Sequence, residues 1–223
     1  VGNTCSQYLM TTIDYLALLA GAGNTIAISA IAIVLGSPLG LMLALIRWAK
    51  VPGLDGLVAI LVSLLRATPS VTLMLLVYFA LPVLGIELPR VVAAVSTLAL
   101  GSMAYNCEIW RGALLTFPKD QLDAAKAFGM RRHLRLQHII LPQLVRSALP
   151  ALVNEMTLLI KVSPAIAVIG VADVTRAAVR IGASTYQPVP PFTVALLIYL
   201  AIIGALVLAQ RLFENRQLAG NAA

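Results

Sequence analysis

Residues 111–146 read RGALLTFPKDQLDAAKAFGMRRHLRLQHIILPQLVR, a polar passage in a chain that is otherwise apolar. Seven of the sixteen Lys and Arg residues fall here, between hydrophobic segments long enough to cross a bilayer. Pro118 suits the first turn of a helix, where its missing N–H costs nothing. Asp120 and Asp123 sit in the N-terminal half of that helix, facing the positive end of its dipole. Ala124, Ala125, Lys126 and Ala127 are strong helix formers, and Gly129 is a natural C-terminal stop because it takes the left-handed conformation freely. A second short helix is expected from about Arg131 to Ile140, halted by Pro142. The pair reads as a helix–turn–helix elbow whose small face, Ala124, Ala125 and Gly129, allows close approach by another surface. The alternative is an ordinary basic loop; alanines and a glycine set between caps favour the elbow, a cytoplasmic docking segment over 118–142.

The rest of the chain says what the elbow is mounted on. Of 223 residues, 60% are hydrophobic and 11% charged, with a mean hydropathy of +0.94. A soluble domain carries about 25% charged residues, so the expectation is an all-α integral membrane protein, one domain over 1–223, with the lipid membrane as an obligatory partner. The net charge of +7 reports topology rather than nucleic-acid binding. Cys5 and Cys107 are too few and too far apart for a disulfide framework. His133 and His138, five apart in a basic segment, give no metal site. No cleavable signal peptide is evident, and the first span itself is expected to direct insertion.

About five transmembrane helices follow from the hydrophobic runs, since about 20 apolar residues span a bilayer. Tyr15–Ile46 is the first, with Gly36, Pro38 and Gly40 implying a kink and a close helix contact, and Arg47, Trp48 and Lys50 as its interfacial anchor. Leu57–Leu84 is the second, interrupted at Arg66-Ala67-Thr68-Pro69. Val91–Leu115 is the third and Ala148–Val171 the fourth. Ala172–Pro191 reads as a polar loop, Phe192–Ala209 as the fifth span and Gln210–Ala223 as a polar tail. With the N-terminus outside and the C-terminus cytoplasmic, eleven of the sixteen Lys and Arg lie on the cytoplasmic side and three outside, in keeping with the positive-inside rule.

Polar groups at bilayer depth cost at least ~2.5–3.5 kcal/mol when ionisable, and usually face a cavity or a partner. Arg66, Glu108, Glu155 and Lys161 qualify, with Thr68, Asn106, Asn154 and Ser163 as hydrogen-bonding neighbours. Pro69 and Pro164 break helices beside them, and broken helices expose backbone groups able to hold a zwitterion. This describes a solute pathway. The plainer reading is structural: Arg66 snorkels to the interface, and Glu108 and Arg111, three apart, pair on one helix.

Asp123-Ala124-Ala125, three residues, Gly129, nine residues, Ile139, one residue, Leu141-Pro142: this spacing resembles the "EAA" signature of ATP-binding cassette (ABC) importer permeases, with Asp123 in place of the usual Glu. Gly23-Asn24-Thr25, Leu65–Pro69, Ala104–Ala113 and Ile140–Gln143 are similar to the polar amino acid branch of that family. Where the branch carries Lys-Asp-Thr-Ser, this chain has Lys161-Val162-Ser163-Pro164. The resemblance implies a type I ABC importer fold and a permease subunit in a bacterial inner membrane, with coupling through Asp123, Ala124, Ala125, Gly129, Ile139, Leu141 and Pro142. It implies partners: ABC ATPase subunits that bind the ATP and magnesium, a second permease, identical or homologous, and an extracytoplasmic amino acid-binding protein. No cofactor is expected in this chain, which has no Gly-Lys-Ser/Thr phosphate loop and is not expected to be an enzyme. The solute implied is an amino acid, polar or basic, since Glu108 and Glu155 lean toward a cation. A stand-alone secondary transporter is the rival; a membrane enzyme lacks any nucleophile–base or metal constellation.

Overall fold

The computed structural model describes residues 10–221, which are built of helices with no strand among them. Of the polar N-terminal segment, residues 1–9, Cys5 among them, lie outside the described residues. Helix α1 (Thr12–Trp48) opens on a reciprocal cap. The Asp14 carboxylate accepts from the Thr11 backbone N–H and hydroxyl, each at 2.8 Å, while Thr11 Oγ1 accepts from the Asp14 N–H, which satisfies donors that a helix start leaves orphaned. The helix passes Pro38 without interruption.

Helices α2 (Leu54–Ala67) and α3 (Ser70–Ala80, extended by a 3₁₀ turn over Leu81–Leu84) are bent by 106° at Thr68-Pro69. Pro69 disfavours helical ψ at the residue before it; Thr68 is extended at φ −83°, ψ 127°. The Thr68 hydroxyl donates to the Leu64 carbonyl at 2.8 Å and closes the end of α2. Helix α4 (Arg90–Leu115) follows, then α5 (Lys119–Ala127) and the single turn α6 (Arg132–Arg135). A π turn over Leu136–Ile140 leads into α7 (Leu141–Val162), a 3₁₀ segment over Ser163–Ile169, α8 (Val174–Thr185) and α9 (Val189–Asn221).

Thr12–Trp48, Arg132–Ile169 and Val189–Leu212 are each long and apolar enough to cross a membrane, and the bent α2–α3 pair passes the same test when taken together, as a broken span or a re-entrant loop. Helix α4, at 26 residues, is about 39 Å long. Its Thr97, Ser102 and Asn106 are buried.

The fold comprises two compact units. The first takes in the chain up to Ile31, Pro69–Leu98 and everything from Thr157. Its core includes Leu18, Ala22, Val174, Ala178 and Ile181. The second comprises Ala32–Thr68 and Ala99–Met156, with Leu43, Val58, Val62, Met103, Trp110 and Leu144 in its core. There Gly36 and Gly40 set α1 against α4: a Cβ on Gly36 would lie 2.7 Å from Ser102 Cβ, and one on Gly40 2.7 Å from Asn106 Cβ. Only 6% of the apolar stretch of α9 is buried, against 56% for Arg132–Ile169, so α9 keeps an apolar surface for lipid or a partner helix.

Three expectations are corrected. Pro142 does not halt the segment before it; helix runs on from Arg132 to Val162. A helical proline lacks a donor and collides with the carbonyl four residues back, and widening the preceding turn to π geometry makes room for it. The helix that carries the fourth span therefore begins ahead of Ala148, at Leu141 or before. Residues 172–191 are not a loop but contain α8, started by Asp173, whose Oδ1 accepts from the Arg176 N–H at 2.8 Å. Finally, α9 extends through Asn221, so the C-terminal tail is helical over most of its length.

Candidate functional site

The ends of α5 form as the sequence suggests, but Ala125 turns inward while Ala124 and Gly129 are exposed, so the three do not share one open face. Pro118 caps α5, and Gly129 takes φ +72° just beyond it. Leu122 and Ala125 pack inward, Ala125 only 4% exposed, near Phe117 and Ile140 of the second unit's core. Asp123, Ala124 and Ala127 point outward. Lys126 Nζ donates to Asp123 Oδ1 at 2.6 Å. That hydrogen bond and the ammonium charge hold the exposed Asp123 carboxyl below its ordinary range. Gln143 Nε2 donates to Gln121 Oε1 at 2.9 Å and ties α5 to the first turn of α7. Ile139 and Leu141 are half-buried and Pro142 is exposed. Phe128, at the C-cap of α5, is 88% exposed. Sequence reasoning passed over it, although Leu122 and Ala125 already fill the inward positions and leave a phenylalanine there with nothing to pack against.

The ionisable groups in the spans divide into two groups. Asn106 and Glu155, far apart in sequence, meet in the buried interior of the second unit. Asn106 Nδ2 donates to Glu155 Oε2 at 3.0 Å, and to the Ser102 carbonyl and hydroxyl at 2.8 and 3.0 Å. Asn106 Oδ1 is buried with no hydrogen-bond partner among the described residues. No Lys or Arg lies within ion-pair distance of Glu155 among them. Glu108 is elsewhere engaged. Its carboxylate receives Arg47 on one oxygen and Arg111, at 2.9 Å, on the other, while Arg47 Nε lies 3.5 Å from Asp55. The network joins the end of α1, the start of α2 and α4.

The Arg66 guanidinium lies 5.4 Å from the Tyr105 ring centroid, a cation–π contact. Thr68 bonds to its own helix. Asn154 is exposed. In the first unit Lys161 is exposed, and the fully buried Ser163 donates to the Ile160 carbonyl at 2.8 Å.

One buried cluster escaped the sequence reading. Asp173, 0% exposed, also accepts from the Tyr199 hydroxyl at 3.3 Å. Asn24 Nδ2 donates to the Ala172 carbonyl at 2.8 Å, and Thr25 Oγ1 accepts from the Val174 N–H at 3.5 Å. Gly21 leaves room for the Asp173 backbone, which an added Cβ would meet at 2.8 Å. Gly23-Asn24-Thr25 thus marks the place where α1 receives the start of α8. An Asp followed by Val174, Ala178 and Ile181 at helical spacing was the signal available in the sequence.

The chain is similar to known proteins over most of its length. Residues 36–218 match the family model described as binding-protein-dependent transport system inner membrane component. The arginine transport system permease protein ArtQ of Bacillus subtilis (strain 168) is 34% identical over 200 residues, covering 89% of this chain and 91% of that protein. The octopine transport system permease protein OccM of Rhizobium meliloti is 34% identical over 197 residues, covering 84% and 80%. A crystal structure of an amino acid ABC transporter with histidines superposes with a TM-score of 0.84 at 30% identity, over 93% of this chain and all of that one. With its apolar spans, bent α2–α3 pair and elbow, the chain belongs to the binding-protein-dependent transport system inner membrane components, the membrane-spanning permease subunits of bacterial ABC importers.

Proposed function

We propose that this permease conducts a cationic amino acid or a close derivative, and that Glu155 and Asn106 receive its charged end. One observation carries the reading: a buried carboxylate with no arginine or lysine beside it, next to a buried amide oxygen with no donor. A carboxylate taken out of water without a cation is costly. An ammonium or guanidinium group entering the site supplies the missing charge to Glu155 and the missing N–H to Asn106 Oδ1. Its relatives include arginine and octopine permeases and the amino acid transporter structure with histidines, alongside glutamine permeases, so they support an amino acid and leave its charge to the site.

Coupling, in this reading, runs through Asp123, Ala124, Ala125, Gly129, Ile139, Leu141 and Pro142 to an ABC ATPase that holds ATP and magnesium. The permease works with a second permease, identical or homologous, and with an extracytoplasmic binding protein. Its N-terminus is outside and its C-terminus cytoplasmic, which places the basic elbow on the ATPase side. Alternating access then follows from the ATPases biasing a two-state permease.

The test is ATPase activity of the reconstituted transporter, with its binding protein, against a panel of cationic, neutral and acidic amino acids. Stimulation confined to cationic solutes, and lost in Glu155→Gln with basal turnover intact, supports the reading. Equal stimulation of wild type and Glu155→Gln by the same solute sinks it.

A further inference from the structure

The second unit contains a cavity of about 470 Å³ that the end of α1 shares with the elbow and that the Asn106–Glu155 pair does not line. One wall is the last two turns of α1, through Met42, Leu45 and Ile46. The opposite wall is Leu136 and Ile140 of the π turn with Leu122 of α5. Trp48 lies at one edge, and Lys126, Arg132 and Arg135 line the rest. The two arginines make no hydrogen bond or ion pair among the described residues.

We propose that this cavity binds an anionic phospholipid, with an acyl chain against the apolar wall and the headgroup phosphate among Arg132, Arg135 and Lys126. Three features select that occupant. First, the apolar wall belongs to the end of a membrane-spanning helix, so it is continuous with the surface lipid already covers. Trp48 marks the depth, because tryptophan concentrates at the level of the headgroups. Second, guanidinium forks match a phosphate in two-point geometry, and Asp123 answers only Lys126. Third, an acidic side chain of a protein partner, or a free phosphate, would satisfy the cations and leave an apolar volume of this size unfilled. Apolar lining left facing water is unfavourable. An anionic amphiphile fills both halves. The inference does not depend on which solute the permease carries.

Each basic side chain near a membrane surface favours anionic over zwitterionic lipid by roughly five-fold. Trp48 provides a reporter inside the cavity. The intact transporter, permease with its ATPase, is placed in micelles with phosphatidylglycerol or phosphatidylcholine bearing brominated chains. Quenching at Trp48 is isolated by subtracting the signal of Trp48→Phe. In wild type we expect half-maximal quenching at a several-fold lower fraction of phosphatidylglycerol than of phosphatidylcholine. In Arg132→Gln/Arg135→Gln the two curves should converge. Identical curves in wild type, a comparison that needs no cavity variant, overturn the proposal. So does selectivity that survives the double variant. If the double variant sheds its ATPase while keeping lipid selectivity, the arginines serve a protein contact and the lipid site is refuted.

Discussion

Replacing Gly40 with alanine is the sharpest test of how α1 supports the buried polar pair. The new Cβ would lie 2.7 Å from Asn106 Cβ, 2.8 Å from the Met103 carbonyl oxygen and 2.9 Å from the Cys107 nitrogen. None of these is the end of a flexible side chain. Ordinary carbon contacts are about 3.5–4.0 Å, so α1 and α4 must part by roughly 1 Å. A parting of that size carries the Asn106–Glu155 hydrogen bond, now 3.0 Å, toward and past the limit of the interaction. Overpacking costs about 1–3 kcal/mol, against a helix-propensity gain of about 1 kcal/mol for Gly→Ala, so the net loss is up to about 2 kcal/mol. Gly112→Ala, on α4 with nothing within 4 Å of its Cβ, should show the gain alone. The assay is thermal unfolding in detergent together with solute-stimulated ATPase activity of the reconstituted transporter. Gly40→Ala should unfold earlier and lose stimulation, while Gly112→Ala does neither. If the two alanine variants behave alike, the close approach does not hold Asn106 in place and the reasoning fails.

Phe128→Ala should leave the unfolding midpoint within the usual scatter of surface changes, about 0.5 kcal/mol, because the ring is 88% exposed. It should nevertheless lower the amount of ATPase that co-purifies; unchanged recovery would remove Phe128 from the coupling surface. Arg47→Met leaves Glu108 with Arg111 alone and should cost about 2 kcal/mol, read as an earlier midpoint that Glu108→Gln in the same chain partly restores. Burial pushes the Asp173 carboxyl above its ordinary range, so the folded chain holds that proton more tightly than the unfolded one. Its contribution is complete below the unfolded carboxyl value, about 3.9, and is lost as pH rises through the higher folded value. Asp173→Asn, which still caps α8, should flatten this part of the pH profile of thermal unfolding, and Asp173→Ala, which loses the cap as well, should be about 1 kcal/mol less stable than Asp173→Asn. A profile identical in wild type and Asp173→Asn contradicts the assignment.

The elbow was legible because its signals are local. Pro118, the alanines and Gly129 act within one or two turns of their own position, and Pro69 breaks its helix through a clash with the residue beside it. Where composition stood in for mechanism, the reading went astray. The Thr, Gly and Pro of 172–191 suggested a loop, yet one Asp cap and three apolar residues at helical spacing suffice for α8 once Leu18 and Ala22 give that face something to pack on. Pro142 looked terminal because a π turn, which lets the helix pass, has no signature in single-residue preferences. The Asn106–Glu155 pair lay out of reach, since nothing in a single chain says which residues of two different spans will face each other.

The spans themselves suggest how structural polar residues separate from functional ones. Thr97 donates to the Ala93 carbonyl at 2.8 Å, Ser96 to Val92 at 2.8 Å, Thr193 to Val189 at 2.9 Å and Ser163 to Ile160 at 2.8 Å. These hydroxyls are satisfied by the preceding turn of their own helix, so they sit in a span at little cost and need no partner. Thr68 belongs with them. A carboxylate or a carboxamide has more capacity than the preceding turn can use. Asn106 donates to the Ser102 carbonyl and hydroxyl and also reaches across to Glu155, and its oxygen has no partner among the described residues. Glu108 is drawn across to Arg47 in the same way. The two carboxylates then differ in one respect: Glu108 is neutralised by arginines of the same chain, whereas Glu155 has only neutral donors. A group that stays short of charge after every local and cross-helix bond is counted is the one left to be completed from outside the chain, and that singles out Glu155 over Glu108 as the place where a cationic solute would be felt.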